Sequence, residues 1–228
     1  MIEPDKRRGF RWLFYRYQKH HLIPRYFETV GVSGEIDDHL DVPTLYIANH
    51  SSWWDGLLIF QMTQRFSNDD HYIMMNESGL KEYPFFRKLG AYSVNRHRPR
   101  DVIKALSYTQ ELMLAGKKVW LFPQGGIQHP ERYIYFQRGL GHILKQFDQV
   151  AVKPFTFHYY TYDYPKMMAA VDIGEATMIG PTMGQDEMTM HFEQLLNEQR
   201  ESQVQRLIEN PDAPFHLPYQ PLIGRRKR

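Results

Sequence analysis

Residues 44–60 run Thr44-Leu45-Tyr46-Ile47-Ala48-Asn49-His50-Ser51-Ser52-Trp53-Trp54-Asp55-Gly56-Leu57-Leu58-Ile59-Phe60. The first apolar run is short and rich in strand-forming residues. The second follows serines and an aspartate, which are helix-start signals. The stretch therefore predicts a strand that passes through a tight polar turn into a helix, the unit from which α/β folds are built. His50 and Asp55 sit in that turn. A neutral imidazole accepts a proton from a hydroxyl when a carboxylate holds its other ring N–H. Five positions on an ideal helix point about 140° apart, so the pair cannot meet if both residues lie mid-helix. Contact requires His50 in the entry turn, with Ser51 or Ser52 near the N-cap. The other reading of the same residues is a histidine that ends a turn and a solvated first-turn acid.

Working outward, strands are predicted at 44–49, 71–75, 91–95, 118–122, 150–157 and 168–173. Helices are predicted at 53–65, 80–88, 100–115, 138–147 and 186–208. The helix over 100–115 is bounded by Pro99 and Asp101 at its start and Gly116 at its end, with Val102, Ile103, Leu106, Met113 and Leu114 at helical spacing. This alternation predicts one α/β domain with a mixed, mostly parallel sheet flanked by helices. Residues 1–30 read as a basic, aromatic helical segment, residues 31–210 as the main domain and residues 211–228 as a proline-rich basic tail.

In the N-terminal segment, Phe10, Leu13, Phe14, Tyr17 and His21 share one helical face. Arg8, Arg11, Trp12, Tyr15 and Lys19 take the other. Basic residues beside large aromatics suit an anionic membrane surface; the alternative is a helix that packs Phe10 and Phe14 on the domain. Pro24 interrupts the segment, so either one helix or two short ones is expected. The tail ends Arg225-Arg226-Lys227-Arg228, either a second electrostatic membrane contact or a frayed, solvated end.

The chain of 228 residues is long enough for one well-buried core, and its net charge of +2 points to no particular partner. It has no cysteine, which excludes a disulfide framework, a thiolate nucleophile and a cysteine-ligated metal. No run of apolar residues is long enough to span a bilayer. Basic residues are split between the two termini and one loop, which argues against nucleic-acid binding. No third ligand stands near His50 and Asp55 at metal-binding spacing, so no metal site is expected.

Three further segments fall at predicted strand ends, where α/β sheets collect their sites. Gly90-Ala91-Tyr92-Ser93-Val94-Asn95-Arg96 puts an arginine just past a strand, suited to a phosphate or carboxylate. Val119-Trp120-Leu121-Phe122-Pro123-Gln124-Gly125-Gly126 ends an apolar strand in a proline and two glycines, whose backbone N–H groups suit an oxyanion. Val150-Ala151-Val152-Lys153-Pro154-Phe155 reads as a buried strand. The tyrosines Tyr159, Tyr160, Tyr162 and Tyr164 either line an acyl groove or pack a sheet edge.

In their order and spacing these blocks resemble the glycerolipid (1-acyl-sn-glycerol-3-phosphate, or lysophospholipid) acyltransferase family. Its pattern Asn-His-x-x-x-x-Asp is matched by Asn49, His50 and Asp55. Gly-x-x-x-x-x-Arg is matched by Gly90 and Arg96, and Val-x-Pro by Val152 and Pro154. Phe-Pro-Glu-Gly-Thr-Arg is matched only as Phe122-Pro123-Gln124-Gly125-Gly126-Ile127. The resemblance covers about residues 40–160. It implies acyl transfer from a thioester, either acyl-CoA or acyl carrier protein, to a hydroxyl of a lipid acceptor such as 1-acyl-glycerol-3-phosphate. In that scheme His50 is the general base and Asp55 its orienting partner. Gln124, Gly125 and Gly126 line the substrate site, with Arg96 on an anionic group. No cofactor beyond the acyl donor is implied, and the expected location is cytoplasmic, peripheral at the inner face of the membrane.

The third block departs from the family: Gln124 replaces glutamate, Gly126 threonine and Ile127 arginine. Ile127 cannot bind phosphate; Arg132 or Arg138 is the candidate to substitute, and Arg138 is counted with the expected substrate-binding residues. A non-phosphate acceptor, such as a glycolipid or carotenoid glycoside, and a non-catalytic lipid or acyl-carrier binding protein on the same scaffold are the alternatives.

Overall fold

The computed structural model describes residues 1–37 and 40–224. The chain opens with α1 (Arg8–Tyr17), a π-helical turn (Gln18–Leu22) and α2 (Ile23–Tyr26). There follow β1 (Phe27–Ser33), β2 (Thr44–Ala48), α3 (Asp55–Phe66), β3 (His71–Asn76), α4 (Glu77–Glu82), α5 (Phe86–Leu89) and β4 (Ala91–Val94). The second half holds α6 (Pro99–Leu114), β5 (Lys118–Leu121), α7 (Gly139–Leu144), β6 (Val150–Tyr160), β7 (Met167–Ile173), β8 (Thr177–Ile179), α8 (Gln185–Glu209) and β9 (Gln220–Ile223).

The strands form one nine-stranded sheet in the order β4-β3-β5-β2-β6-β7-β1-β9, with β8 on β6. β4, β3, β5, β2 and β6 run parallel. β7 is antiparallel to β6, β1 is parallel to β7, and β9 closes the far side antiparallel to β1. β2 is central and buried at every position, which is why it reads as a continuous apolar run. Its alternation still sorts side chains between two layers. Leu45 and Ile47 join Val119, Val152 and the inner faces of α6, α7 and α8. Tyr46 and Ala48 join Trp120, Phe155 and α3 on the opposite face. The result is the mixed, mostly parallel sheet flanked by helices that the alternation of elements predicts, and all six predicted strands are present.

Three features differ from the reading of the sequence alone, and a fourth decides between two alternatives it left open. First, the N-terminal helical segment stops at Tyr26, and β1 crosses the expected boundary at residue 30. Phe27, Thr29, Val30 and Val32 are buried, and β1 is held by β7 and β9 on its two sides. Second, the helix expected at 80–88 is two short helices, α4 and α5, separated at Pro84, whose ring disfavours a helical conformation in the residue before it. Third, the expected tail is folded as far as Gly224: a 3₁₀ turn (Ala213–Phe215) and β9 cap the sheet edge. The basic run Arg225–Arg228 lies outside the described residues. Fourth, Pro24 produces no break. It sits in the first turn of α2, where its missing N–H is harmless, and the π-helical turn carries the chain into it.

The N-terminal face divides. Phe10 and Phe14 pack inward on α3 and α5, with the Phe14 ring 5.7 Å from Phe60 and 5.2 Å from Phe85. Trp12 and Leu13, each 61% exposed, point outward beside the exposed Arg8 and Arg16. Residues 1–7 run along the β4 edge, where Ser93 N–H donates to the Ile2 carbonyl (2.9 Å) and Ile2 N–H donates to Ser93 Oγ (2.7 Å). That pairing covers the sheet's outer strand.

Candidate active site

Because β2, β3, β4 and β5 are parallel, the turns after them open at one edge of the sheet. His50 follows β2, Asn76 ends β3, Arg96 follows β4 and Gln124 follows β5. Distant segments are thereby gathered at the carboxyl ends of the strands, the usual place for a ligand site in such sheets.

His50 Nδ1 lies 2.7 Å from Asp55 Oδ2. The two meet because α3 begins only at Asp55, with Trp54 as its N-cap. His50 stays outside the helix, and the angular conflict of a shared helix does not arise. Ser51 and Ser52 stand near the cap, as the sequence suggested, without being the cap residue. Both serines serve the carboxylate instead: Ser51 N–H and Ser52 N–H donate to Asp55 Oδ2 at 2.9 and 3.0 Å. Asp55 is fully buried, and these donors replace the water it has lost. With Nδ1 engaged, Nε2 is the ring nitrogen left for chemistry.

The imidazole is held on its other sides as well. Its ring stacks on Phe122, 4.0 Å between centroids and 11° between planes. Its backbone N–H donates to Gln124 Oε1, and its carbonyl accepts Gln128 N–H at 2.9 Å. Gln124 is only 5% exposed, and its Nε2 donates to Gln128 Oε1 (3.2 Å). The amide that replaces the family's glutamate is therefore committed within the protein, bracing the His50 turn. Gly125 has φ +77°, and its N–H donates to the Phe122 carbonyl at 3.0 Å. Gly126 N–H makes no hydrogen bond among the described residues, so of the two it is the one left for an oxyanion.

Two clefts meet here and share Met74, Met75, Asn76, Phe122 and Gly125 as a common wall. The larger, about 420 Å³, carries His50, Gly126 and Ile127 with Trp53, Tyr83 and Phe86. Its one acidic side chain is Glu82. The other, about 290 Å³, is apolar apart from Asn76, Gln137, Arg96 and Arg138. Arg96 lies so close over Gly125 that a Cβ there would stand 2.8 Å from Arg96 Nη1. Arg138 reaches the same cleft as the N-cap residue of α7. Ile127 is 55% exposed on the His50 side. Arg132 lines neither cleft. Of the site residues read from the sequence, His50, Arg96, Gly125, Gly126 and Arg138 line this pair of clefts, Asp55 and Gln124 stand behind them on His50, and Arg132 is not brought in.

The sequence offers Tyr159 only as acyl-groove lining or sheet-edge packing, yet its hydroxyl donates to Asp55 Oδ1 at 2.5 Å. The other tyrosines of its cluster have different fates. Tyr160 and Tyr164 hydrogen-bond the Pro211 carbonyl and Asp212, and Tyr162 is exposed. None of the four lines either cleft. Nothing in the local pattern separates Tyr159 from its neighbours; its partner is 104 positions away.

The chloroplastic 1-acyl-sn-glycerol-3-phosphate acyltransferases LPAT1 of Arabidopsis thaliana and BAT2 of Brassica napus are each 23% identical to this chain, over 155 and 145 residues. The matched segments are 62% and 57% of this chain but only 42% and 40% of those relatives. The crystal structure of PlsC, the 1-acyl-sn-glycerophosphate (LPA) acyltransferase of Thermotoga maritima, superposes with a TM-score of 0.60 at 18% identity. That superposition covers 84% of this chain and 78% of PlsC, and it is a likeness of fold. The family model described as Acyltransferase matches residues 20–169, the span that holds β2, both clefts and the His50–Asp55 pair. The chain belongs to the acyltransferase family.

Proposed function

We propose that this protein transfers a fatty acyl group from a thioester, acyl-CoA or acyl carrier protein, to a hydroxyl of a lipid acceptor, with His50 as general base. The observation that carries this reading is the His50 Nδ1–Asp55 Oδ2 contact of 2.7 Å on the wall of a roughly 420 Å³ cleft. Nε2 takes the proton of the acceptor hydroxyl as its oxygen attacks the thioester carbonyl. Asp55 holds the tautomer and stabilises the imidazolium. Gly126 N–H is offered to the tetrahedral oxyanion. Collapse of that intermediate expels the thiolate, which takes the proton back from His50. No covalent acyl-enzyme and no cofactor enter this scheme.

The acceptor we favour is 1-acyl-glycerol-3-phosphate. It is supported by the names of the relatives and by two guanidinium groups, Arg96 and Arg138, in the adjoining cleft, suited to a phosphate. A second reading, an uncharged glycolipid-type acceptor, draws support from Ile127 on the His50 side and from the internal engagement of Gln124. Work at a membrane surface is supported by exposed Trp12 and Leu13 beside Arg8 and Arg16. Among the described residues no helix is long and apolar enough to cross a membrane.

The test is thioester consumption with acyl-CoA and acyl carrier protein donors, against lysophosphatidate and a total lipid extract in parallel. Turnover with lysophosphatidate is expected, falling roughly 10²- to 10⁴-fold in His50→Ala. Turnover with the extract alone would select the uncharged acceptor. A folded His50→Ala protein with wild-type turnover would refute the mechanism.

A further inference from the structure

Asp55 has two oxygens, and they are served from different parts of the fold. Oδ2 takes His50 Nδ1 and the backbone N–H groups of Ser51 and Ser52, all from its own turn. Oδ1 accepts from the Tyr159 hydroxyl, which arrives from β6.

We propose that Tyr159 is a positioning residue that locks Asp55, and through it the His50 ring, from the far side of the sheet's central pair. The proposal rests on the reading of His50 as general base. The placement follows from strand lengths. β2 pairs with β6 only from Thr44↔Ala151 to Ala48↔Phe155, and β6 runs on to Tyr160. The overhang stands at the level of the His50 turn. Asn49 extends the ladder by one more step with its side chain: Nδ2 donates to the Phe157 carbonyl and Phe157 N–H donates to Oδ1. Tyr159 lies two residues beyond Phe157 and so on the same face of the strand. Its ring is 6.1 Å from Phe27, which itself meets Trp54 edge-on at 5.0 Å. Burial, and then the Asp55 charge, push the Tyr159 phenol well above its ordinary range, so it remains a donor at every working pH.

A neutral donor on Oδ1 draws charge away from the oxygen that faces His50. Its loss makes the carboxylate more basic and stabilises the protonated pair. The other titratable groups lining the His50 cleft are Glu82 at the end of α4 and Tyr83 just after it; Arg96, from the turn after β4, lies over Gly125, and Tyr26 packs on Trp54. All remain in Tyr159→Phe, which also keeps the aromatic contact with Phe27.

The experiment is an NMR pH titration of the full chain with labelled histidine, the His50 signal being the one lost in His50→Ala. In Tyr159→Phe the His50 midpoint should move to higher pH. Turnover of palmitoyl-CoA with a total lipid extract containing lysophosphatidate should fall roughly three- to tenfold in kcat. KM should be little changed, and the acid limb of kcat/KM should move the same way as the midpoint. In an Asp55→Asn background the same substitution should produce no further loss. An unmoved His50 midpoint, or losses that multiply in the double variant, would overturn the proposal. Failure of the general-base reading is a separate result: His50→Ala would retain turnover while the titration of His50 still responded to Tyr159.

Discussion

Asn49 and Phe157 are joined by a pair of buried hydrogen bonds, Nδ2 to the Phe157 carbonyl at 3.0 Å and Phe157 N–H to Oδ1 at 2.7 Å. A side-chain amide here imitates a peptide group and lengthens the β2–β6 ladder by one residue. It also fixes where the chain leaves β2, and hence where His50 starts. Asn49→Ala strips partners from a buried N–H and a buried carbonyl. It should lower the unfolding free energy by about 2–4 kcal/mol, read from urea denaturation. Turnover should fall with it, since the His50 turn loses its anchor. An unchanged denaturation midpoint would show that the pair is dispensable.

Gln124 works through the backbone of His50. Gln124→Leu leaves that buried N–H unpaired and should cost about 1–3 kcal/mol of stability. Gln124→Glu keeps the acceptor, and rotation of the Gln128 amide restores the second bond. Its stability should therefore stay close to wild type. Thermal melts of the two variants side by side separate these outcomes; equal losses would contradict the bracing role.

Ile127 discriminates between acceptors. If the head group lies on the His50 side of the shared wall, Ile127→Arg should lower KM for lysophosphatidate by roughly three- to tenfold and leave an uncharged acceptor unaffected. Steady-state kinetics with both acceptors test this. A KM that is equally insensitive for both would move the head group to the Arg96–Arg138 cleft.

Membrane contact should depend on the outward half of α1. Trp12→Ala combined with Leu13→Ser should weaken sedimentation with anionic vesicles by roughly tenfold or more. The melting temperature should hold, because neither side chain is buried. Raised salt should weaken what remains. Unaltered sedimentation would place the contact elsewhere.

Acid should destabilise the fold through His71. This imidazole is buried, accepts from Trp120 Nε1 at 3.1 Å and sits 2.6 Å from Ser67 Oγ. Burial pushes it down from its ordinary value to about 3. The unfolded chain therefore binds a proton that the native state refuses between roughly pH 6.5 and 3. Stability is at its full value above that window and falls as the pH drops through it, with a slope approaching about 1.4 kcal/mol per unit. Urea midpoints at pH 7.5, 6 and 5 should show the decline, and His71→Gln should flatten it. An identical slope in that variant would assign acid lability to other groups.

Much of the molecule was legible in local pattern. Apolar runs bounded by turn residues marked six strands, and Pro99 with Gly116 bracketed α6. His50, Asp55, Arg96 and the Gly125–Gly126 turn were visible as chemistry-bearing residues at predicted strand ends. β1 and β9 were not. Phe27–Ser33 follows directly on a helix, and Gln220–Ile223 sits in a proline-rich segment, so neither shows a strand until its neighbour is present.

The sequence by itself determined the period of each element and the residue types at each turn, because both depend on nearest-neighbour sterics and on the alternation of apolar side chains. Only the tertiary structure decided which groups face one another. It turned Gln124 inward onto His50, split the aromatic face of α1 into a buried and an exposed half, and set Arg96 over Gly125. It also carried the Tyr159 hydroxyl to Asp55 across 104 positions of chain. Such contacts depend on strand order, register and overhang, which no local stretch encodes: they follow from the packing of the whole sheet.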